Sequence, residues 1–170
     1  DTNAGILFWY GFPDSVPTQT IEVGDRVNFT VTKLKSYGGT PQIDEIESGS
    51  WENVTAEGET NDVPFQDLTG QDVTPDHYGQ MVRVAGRITG INADPCGGTS
   101  TCYELTHGQE GSEKTVEFRL NEPASDDVSE GSCITYFGPV NSHPGPIGAT
   151  EPVKPQLDAQ NFQWFNQAGN

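Results

Sequence analysis

The chain has 170 residues, 32% of them hydrophobic, and carries a formal net charge of −17 from 25 acidic against 8 basic side chains. That length supports one large domain or two small ones with a packed core. The charge repels polyanions, so nucleic-acid binding is disfavoured without a local basic patch, and no run of 18 apolar residues is present to cross a membrane as a helix.

Twenty Gly and twelve Pro punctuate short alternating runs, which predicts an all-β protein. Taken in chain order, Gly5–Phe12 is the first expected strand. Its apolar core, Ile6, Leu7, Phe8, Trp9 and Tyr10, is the most apolar run in the chain. Asp25–Ser36 is the second, with Val27, Phe29 and Val31 inward and Arg26, Asn28 and Thr30 outward. A Tyr37-Gly-Gly-Thr turn leads into Pro41–Ile46, and a fourth strand is expected near Trp51–Val54. Residues 55–76 are acidic and turn-rich, and read as a linker between a partial module (1–54) and a complete one (77–170).

The second module contains five strand-like runs. Gln80–Ile91 places Val82, Val84 and Ile88 on one face and Arg83, Ala85 and Arg87 on the other. Thr101–His107 turns Tyr103 and Leu105 inward and Glu104 outward. Lys114–Asn121 turns Val116, Phe118 and Leu120 inward and Glu117 and Arg119 outward. Ser132–Asn141 and Pro155–Phe165 complete the set. A long first strand with a glycine at its middle, Gly86, suits a five-stranded Greek-key barrel whose first strand must bend to serve both sides.

Two stretches carry a family resemblance. "AGILFWYG…IEVGDRVNFTVTKLKSYGGTPQI" resembles the second half of the OB-fold modules found in tandem in large secreted bacterial proteins, notably beside extracellular nucleases. Their pattern is a glycine and an apolar third strand, then "VGDxVxVxGxVxxYxGxxQI" for the fourth and fifth. "HYGQMVRVAGRITGI" resembles the start of a further such module, "YEGMxVRVxGxV". The likeness covers most of residues 4–46 and 78–91. It implies OB-fold-type Greek-key barrels in tandem, the first incomplete at its N-terminus, so that the chain is expected to begin within a repeat. The segment Thr30-Val31-Thr32 departs from the family, which tends to carry a glycine there.

Three cysteines are present. Cys96 and Cys102 flank the flexible tract "CGGTSTC" and suit a loop disulfide, whereas Cys133 reads as a small buried apolar residue. Two sequons, at Asn28 and Asn53, permit glycosylation on a secreted chain. The histidines His77, His107 and His143 read as exposed loop residues, with no nucleophile–base pair, metalloprotease motif, P-loop or dinucleotide fingerprint around them. No metal site is expected. Asp44/Glu45, Asp126/Asp127 and Glu57/Glu59 offer oxygen donors that calcium could use, but none fits an EF-hand loop. Arg83, Arg87 and Arg119 share the outward face of the second module, where an OB-type barrel meets ligands. Cross-strand pairing with Glu104 and Glu117 accounts for them more simply, and Tyr136, Phe162 and Trp164 suit core packing.

The expected function is therefore non-catalytic: an extracellular or cell-surface binding and assembly module, working by strand-addition contacts with itself or another extracellular protein, a subunit of an extracellular polymer being one form it can take. The alternatives are a nucleic-acid-binding accessory module of a secreted nuclease and a carbohydrate-binding module.

Overall fold

In the computed structural model the described residues are 7–8, 22, 24–37, 40–59, 61–62, 64–92, 100–120, 128–143, 154–159 and 165–168. They form an all-β protein whose larger sheet closes into a five-stranded barrel.

The barrel strands are β7 (Met81–Asn92), β8 (Thr101–His107), β9 (Lys114–Leu120), β10 (Cys133–His143) and β11 (Lys154–Ala159). β7 pairs antiparallel with β8, and β8 with β9. β9 runs parallel to β11, β11 antiparallel to β10, and β10 antiparallel to β7, which closes the ring. The alternation read from the sequence places the core here: Val82, Val84, Tyr103, Leu105 and Phe118 are fully buried. The Phe118 ring lies 6.1 Å from Tyr103 and 6.3 Å, edge to face, from Tyr136. Such aromatic pairs add about 0.5–1.5 kcal/mol each beyond the area they bury.

Closure depends on β7 changing partners. Met81–Arg87 pairs with β10, and Gly86–Asn92 with β8, so Gly86 stands opposite both Ile134 and His107. A Cβ at Gly86 would lie 2.4 Å from the Thr106 carbonyl oxygen. The expected bend at this glycine is thus imposed by a backbone approach that no side chain permits.

Two short strands extend the barrel sheet. β6 (Gln66–Asp67) runs parallel to the start of β7, and β12 (Phe165–Ala168) pairs antiparallel with Cys133–Tyr136 of β10. The run Pro155–Phe165, expected as one strand, is two. β11 occupies one half of the β10 edge, Val140–His143, and β12 occupies the other. The acidic segment 55–76 also joins the barrel through β6, and Leu68 beside it is fully buried in the core.

The N-terminal part holds a three-stranded sheet in the order β1 (Leu7–Phe8), β4 (Thr40–Ile46), β3 (Val31–Tyr37), and a two-stranded ladder of β2 (Val27–Asn28) with β5 (Glu52–Asn53). The expected strand Asp25–Ser36 is split, because its first half pairs with β5 and its second with β4. Register shifts follow between Val31, Lys33 and Leu34. Val27 and Phe29 pack against the small core of Ile43, Ile46 and Trp51, but Val31, expected inward, is 38% exposed. Of the first expected strand, Leu7 and Phe8 are seen; Ile6, Trp9 and Tyr10 lie outside the described residues.

β1 runs parallel to β4, and β4 antiparallel to β3. In the barrel, β9, β11 and β10 have the same order, directions and sequence progression. In the barrel the open sides of β9 and β10 are taken by β8 and β7; among the described residues β1 and β3 are the edges of the small sheet.

Candidate functional site

The three outward arginines do not form one patch. Arg83 stands in register with Asp67 on β6, and Nη1 donates to Asp67 Oδ2 at 2.7 Å on a largely exposed surface. Burial works to raise the Asp67 pKa, but the Thr69 amide and hydroxyl and the Arg83 guanidinium outweigh it and hold the carboxyl below its usual value. Arg119 stands in register with Asp158 on β11, its Nη1 3.2 Å from Oδ2, and Nη2 donates to Ser100 Oγ at 2.8 Å. This pair is enclosed, with side chains only 19% and 5% exposed. Arg87 is exposed and makes no ion pair among the described residues.

Glu104 and Glu117, expected to neutralise these arginines, instead stand directly opposite one another on β8 and β9. Like charges in that position repel. Neighbouring hydroxyl and amide donors offset this: Thr89 Oγ1 donates to Glu104 Oε1 at 2.8 Å, and Gln156 Nε2 donates to Glu117 Oε1. Both carboxylates line a 300 Å³ depression with Asn92, Thr115 and Lys154.

A second depression, of 510 Å³, is lined by Arg87, Thr106, His107, Glu110, Glu113 and Cys133. Cys133 stands in register with Arg87 and is an exposed free thiol, not the buried apolar residue expected. The reason is positional: Cys133 opens β10 one residue out of phase with buried Ile134. His107 also departs from expectation. It ends β8, is 2% exposed, and its Nδ1 accepts a 3.0 Å hydrogen bond from the Gly70 amide. The ring is therefore neutral, with its proton on Nε2. Burial lowers its pKa from the usual imidazole value, with Asp72 opposing and Lys114 adding. His77 closes a 3₁₀ turn, Pro75–His77, and His143 lies within β10 rather than in a loop.

Other expected sites are placed only in part. Asn28 and Asn53 lie on the exposed β2–β5 ladder, and Asn53 Nδ2 donates to Asp25 Oδ2 at 3.1 Å. Asp44 is bonded by Lys33 and by Lys35, which hold its carboxyl below the usual value against a smaller effect of burial, and Glu45 also pairs with Lys33. Glu59 pairs with Arg26. Among the described residues no three His, Cys, Asp or Glu gather as a metal-binding group, and no helix is long and apolar enough to cross a membrane. Tyr136 is a core residue whose hydroxyl donates to the Pro139 carbonyl at 2.7 Å; burial is the largest influence raising its pKa. Cys102 is fully buried. Cys96, Asp126, Asp127, Phe162 and Trp164 lie outside the described residues.

No protein-family model matches the chain, and no curated protein matches it.

The two paired arginines differ in what their loss should do. Arg119→Met strands a buried carboxylate and should cost about 3–5 kcal/mol, whereas Arg83→Met removes an exposed pair and should cost about 1 kcal/mol or less. Urea unfolding of the two variants checks the contrast, and equal losses would refute it. His107 generates a pH dependence. Its pKa is lower folded than unfolded, so the unfolded chain binds more protons in the window below the ordinary imidazole value of about 6.5. Stability contributed by the neutral ring is complete above that pH and declines as pH falls. The urea midpoint should drop between pH 7.5 and 5, and less steeply in His107→Asn; identical slopes would remove His107 as the cause.

Proposed function

We propose that this chain is a non-catalytic binding and assembly module of the extracellular space or cell surface, built from OB-type barrels in tandem and acting through strand addition. The observation that carries this reading is the unequal burial across the β3–β4 pair. Leu34 stands opposite Ile43, and Val31 opposite Ile46. The β4 members are 3% and 7% exposed, while the β3 members are 63% and 38% exposed. Directly opposed residues share a face of the sheet, so one apolar face runs from a covered strand to an uncovered edge. An edge of this kind pairs readily with another strand.

The correspondence of β1-β4-β3 with β9-β11-β10 supports the tandem reading. It makes the small sheet the counterpart of the third, fourth and fifth strands of an OB-type barrel. The nucleic-acid alternative ranks behind, because Arg83 and Arg119 are already paired with carboxylates in a chain of charge −17. A carbohydrate site would have to use exposed Phe65, edge to face on Phe137 of β10 at 5.4 Å, and ranks last because no further exposed aromatic extends that surface among the described residues. No cofactor is assigned.

The extracellular part of the proposal rests on the expected Cys96–Cys102 disulfide. Under non-reducing native conditions, thiol labelling followed by intact-mass measurement should add one label, at Cys133. Labels on Cys96 and Cys102 as well would remove the extracellular argument. Association by strand edges between anionic chains should strengthen as salt screens their repulsion. Static light scattering at rising NaCl should show an increasing weight-average mass. A chain that scatters as a monomer at every salt and concentration would overturn the assembly reading.

A further inference from the structure

We infer that residues 66–72 form a strap latched across the barrel, and that protonation of His107 releases it, so that acid opens one side of the barrel while its strands stay folded.

The strap fills the gap left where β7 changes partner. β8 pairs with β7 only from Gly86 onward, and β6, the start of the strap, takes the same side of β7 at Val82 and Arg83. The Leu68 amide donates to the Arg83 carbonyl at 2.9 Å, and the Ala85 amide donates to Thr69 Oγ1 at 3.0 Å. Leu68 is thereby carried into the barrel core, where it is fully buried. Beyond it the strap crosses to the end of β8, where the Gly70 amide donates to His107 Nδ1 at 3.0 Å. It then reaches β9, where Lys114 Nζ donates to Asp72 Oδ2 at 2.9 Å. This short segment thus bridges three successive strands.

Of these contacts, the one at His107 is reversed by a proton. Nδ1 accepts from Gly70, so the neutral ring fits and carries its proton on Nε2. The imidazolium has an N–H on both nitrogens and sets a donor against the Gly70 amide. The strap has little room to shift in place, because it is seated glycine on glycine. A Cβ at Gly108 would lie 2.8 Å from the Gly70 Cα, and both residues hold a positive φ, +80° at Gly70 and +103° at Gly108. The ring gains nothing on its other side, since His107 Nε2 is buried without a hydrogen-bond partner among the described residues. Lifting the strap relieves the clash of donors and brings the ring to water.

The charges around the ring oppose one another. Asp72 on the strap and Glu110 and Glu113 in the β8–β9 turn favour a cation, Lys114 on β9 and Arg87 on β7 disfavour it, and Cys133 on β10 lines the same depression. Burial is the largest influence and lowers the His107 pKa. The open strap therefore binds the proton more tightly than the closed one, and opening is favoured as pH falls below the ordinary imidazole value of about 6.5. Asp67 stays ionised through that window, because its carboxyl is held below its usual value, so its tie to Arg83 persists. Release withdraws Leu68 from the core and uncovers the side of β7 that β6 occupies. It takes place within one chain and needs no partner.

Amide hydrogen exchange of the full chain at pH 7.5 and 5.5, corrected for the intrinsic effect of pH on exchange, tests this. Protection at Leu68, Gly70 and Ala85 should fall by about three- to tenfold, tenfold being the limit for one proton with an open-state pKa of about 6.5. At pH 5.5 those amides should exchange at rates that sub-denaturing urea leaves unchanged, while amides of β8 and β9 speed up with urea because they await global unfolding. In nitrogen-15 spectra the Gly70 amide should titrate together with the His107 ring. His107→Asn, whose side-chain oxygen can accept from Gly70 and cannot titrate, should keep its protection at both pH values. Constant protection in the wild-type chain, or an equal fall in His107→Asn, would overturn the inference. Strap amides that share the urea dependence of β8 and β9 would overturn it as well, since release would then be global unfolding. If the variant fails to fold, a wild-type Gly70 shift that stays flat through the His107 titration overturns it equally.

Discussion

The barrel depends on one strand serving two neighbours. β7 leaves β10 and joins β8 around Gly86 and Arg87, and only a residue without a Cβ fits at the crossing, 2.4 Å from where the Thr106 carbonyl would meet a side chain. With that crossing in place, β10 and β8 are held on opposite sides of β7, and the remaining ring through β9 and β11 buries Tyr103, Phe118 and Tyr136 together. Without it the same strands would form an open sheet with two bare edges. The N-terminal sheet has the same three-strand order as β9-β11-β10, but its Leu34 and Val31 are exposed.

The few cations of this acidic chain are spent mostly inside its own architecture. Arg83 ties β6 to β7, Arg119 ties β9 to β11, Lys114 reaches Asp72 across from the segment before the barrel, and Lys33 and Lys35 share Asp44. Each pair joins residues on different strands or segments, so the cations report on assembly of the fold before they report on a ligand. The Arg119–Asp158 pair matters most among them because both groups are withdrawn from water, where an unpaired partner is costly. The opposed Glu104 and Glu117 make the complementary point: a like-charge cross-strand pair is tolerated on this surface because Thr89 and Gln156 supply hydrogen-bond donors to the carboxylates.

Much of the barrel was legible as alternation. Val82, Val84 and Ile88, then Tyr103 and Leu105, then Val116, Phe118 and Leu120 were expected inward, and all are buried. Thr101–His107 was bounded to the residue. Period-two patterning suffices there because one face of each strand meets a continuous core and the other meets water. The patterning misled where a strand changes partner or a core is missing. Asp25–Ser36 reads as one alternating run, yet it divides between β5 and β4, and Val31, expected inward, is 38% exposed.

What the amino-acid sequence determined by itself was local: the all-β class, the turns, the inward sets of the barrel strands and the need for glycine at position 86. Its resemblance-bearing motifs pointed to a barrel with a bent first strand, and the closed five-stranded ring agrees with that. Only the tertiary structure decided the partners. That Arg119 meets Asp158 rather than Glu104, that Cys133 is exposed while His107 is buried, and that Leu34 is left uncovered all follow from strand order and register. These join residues tens of positions apart, and a one-residue shift in register exchanges the two faces of a strand. No spacing along the chain encodes that choice, because it is made by the closure of the barrel as a whole.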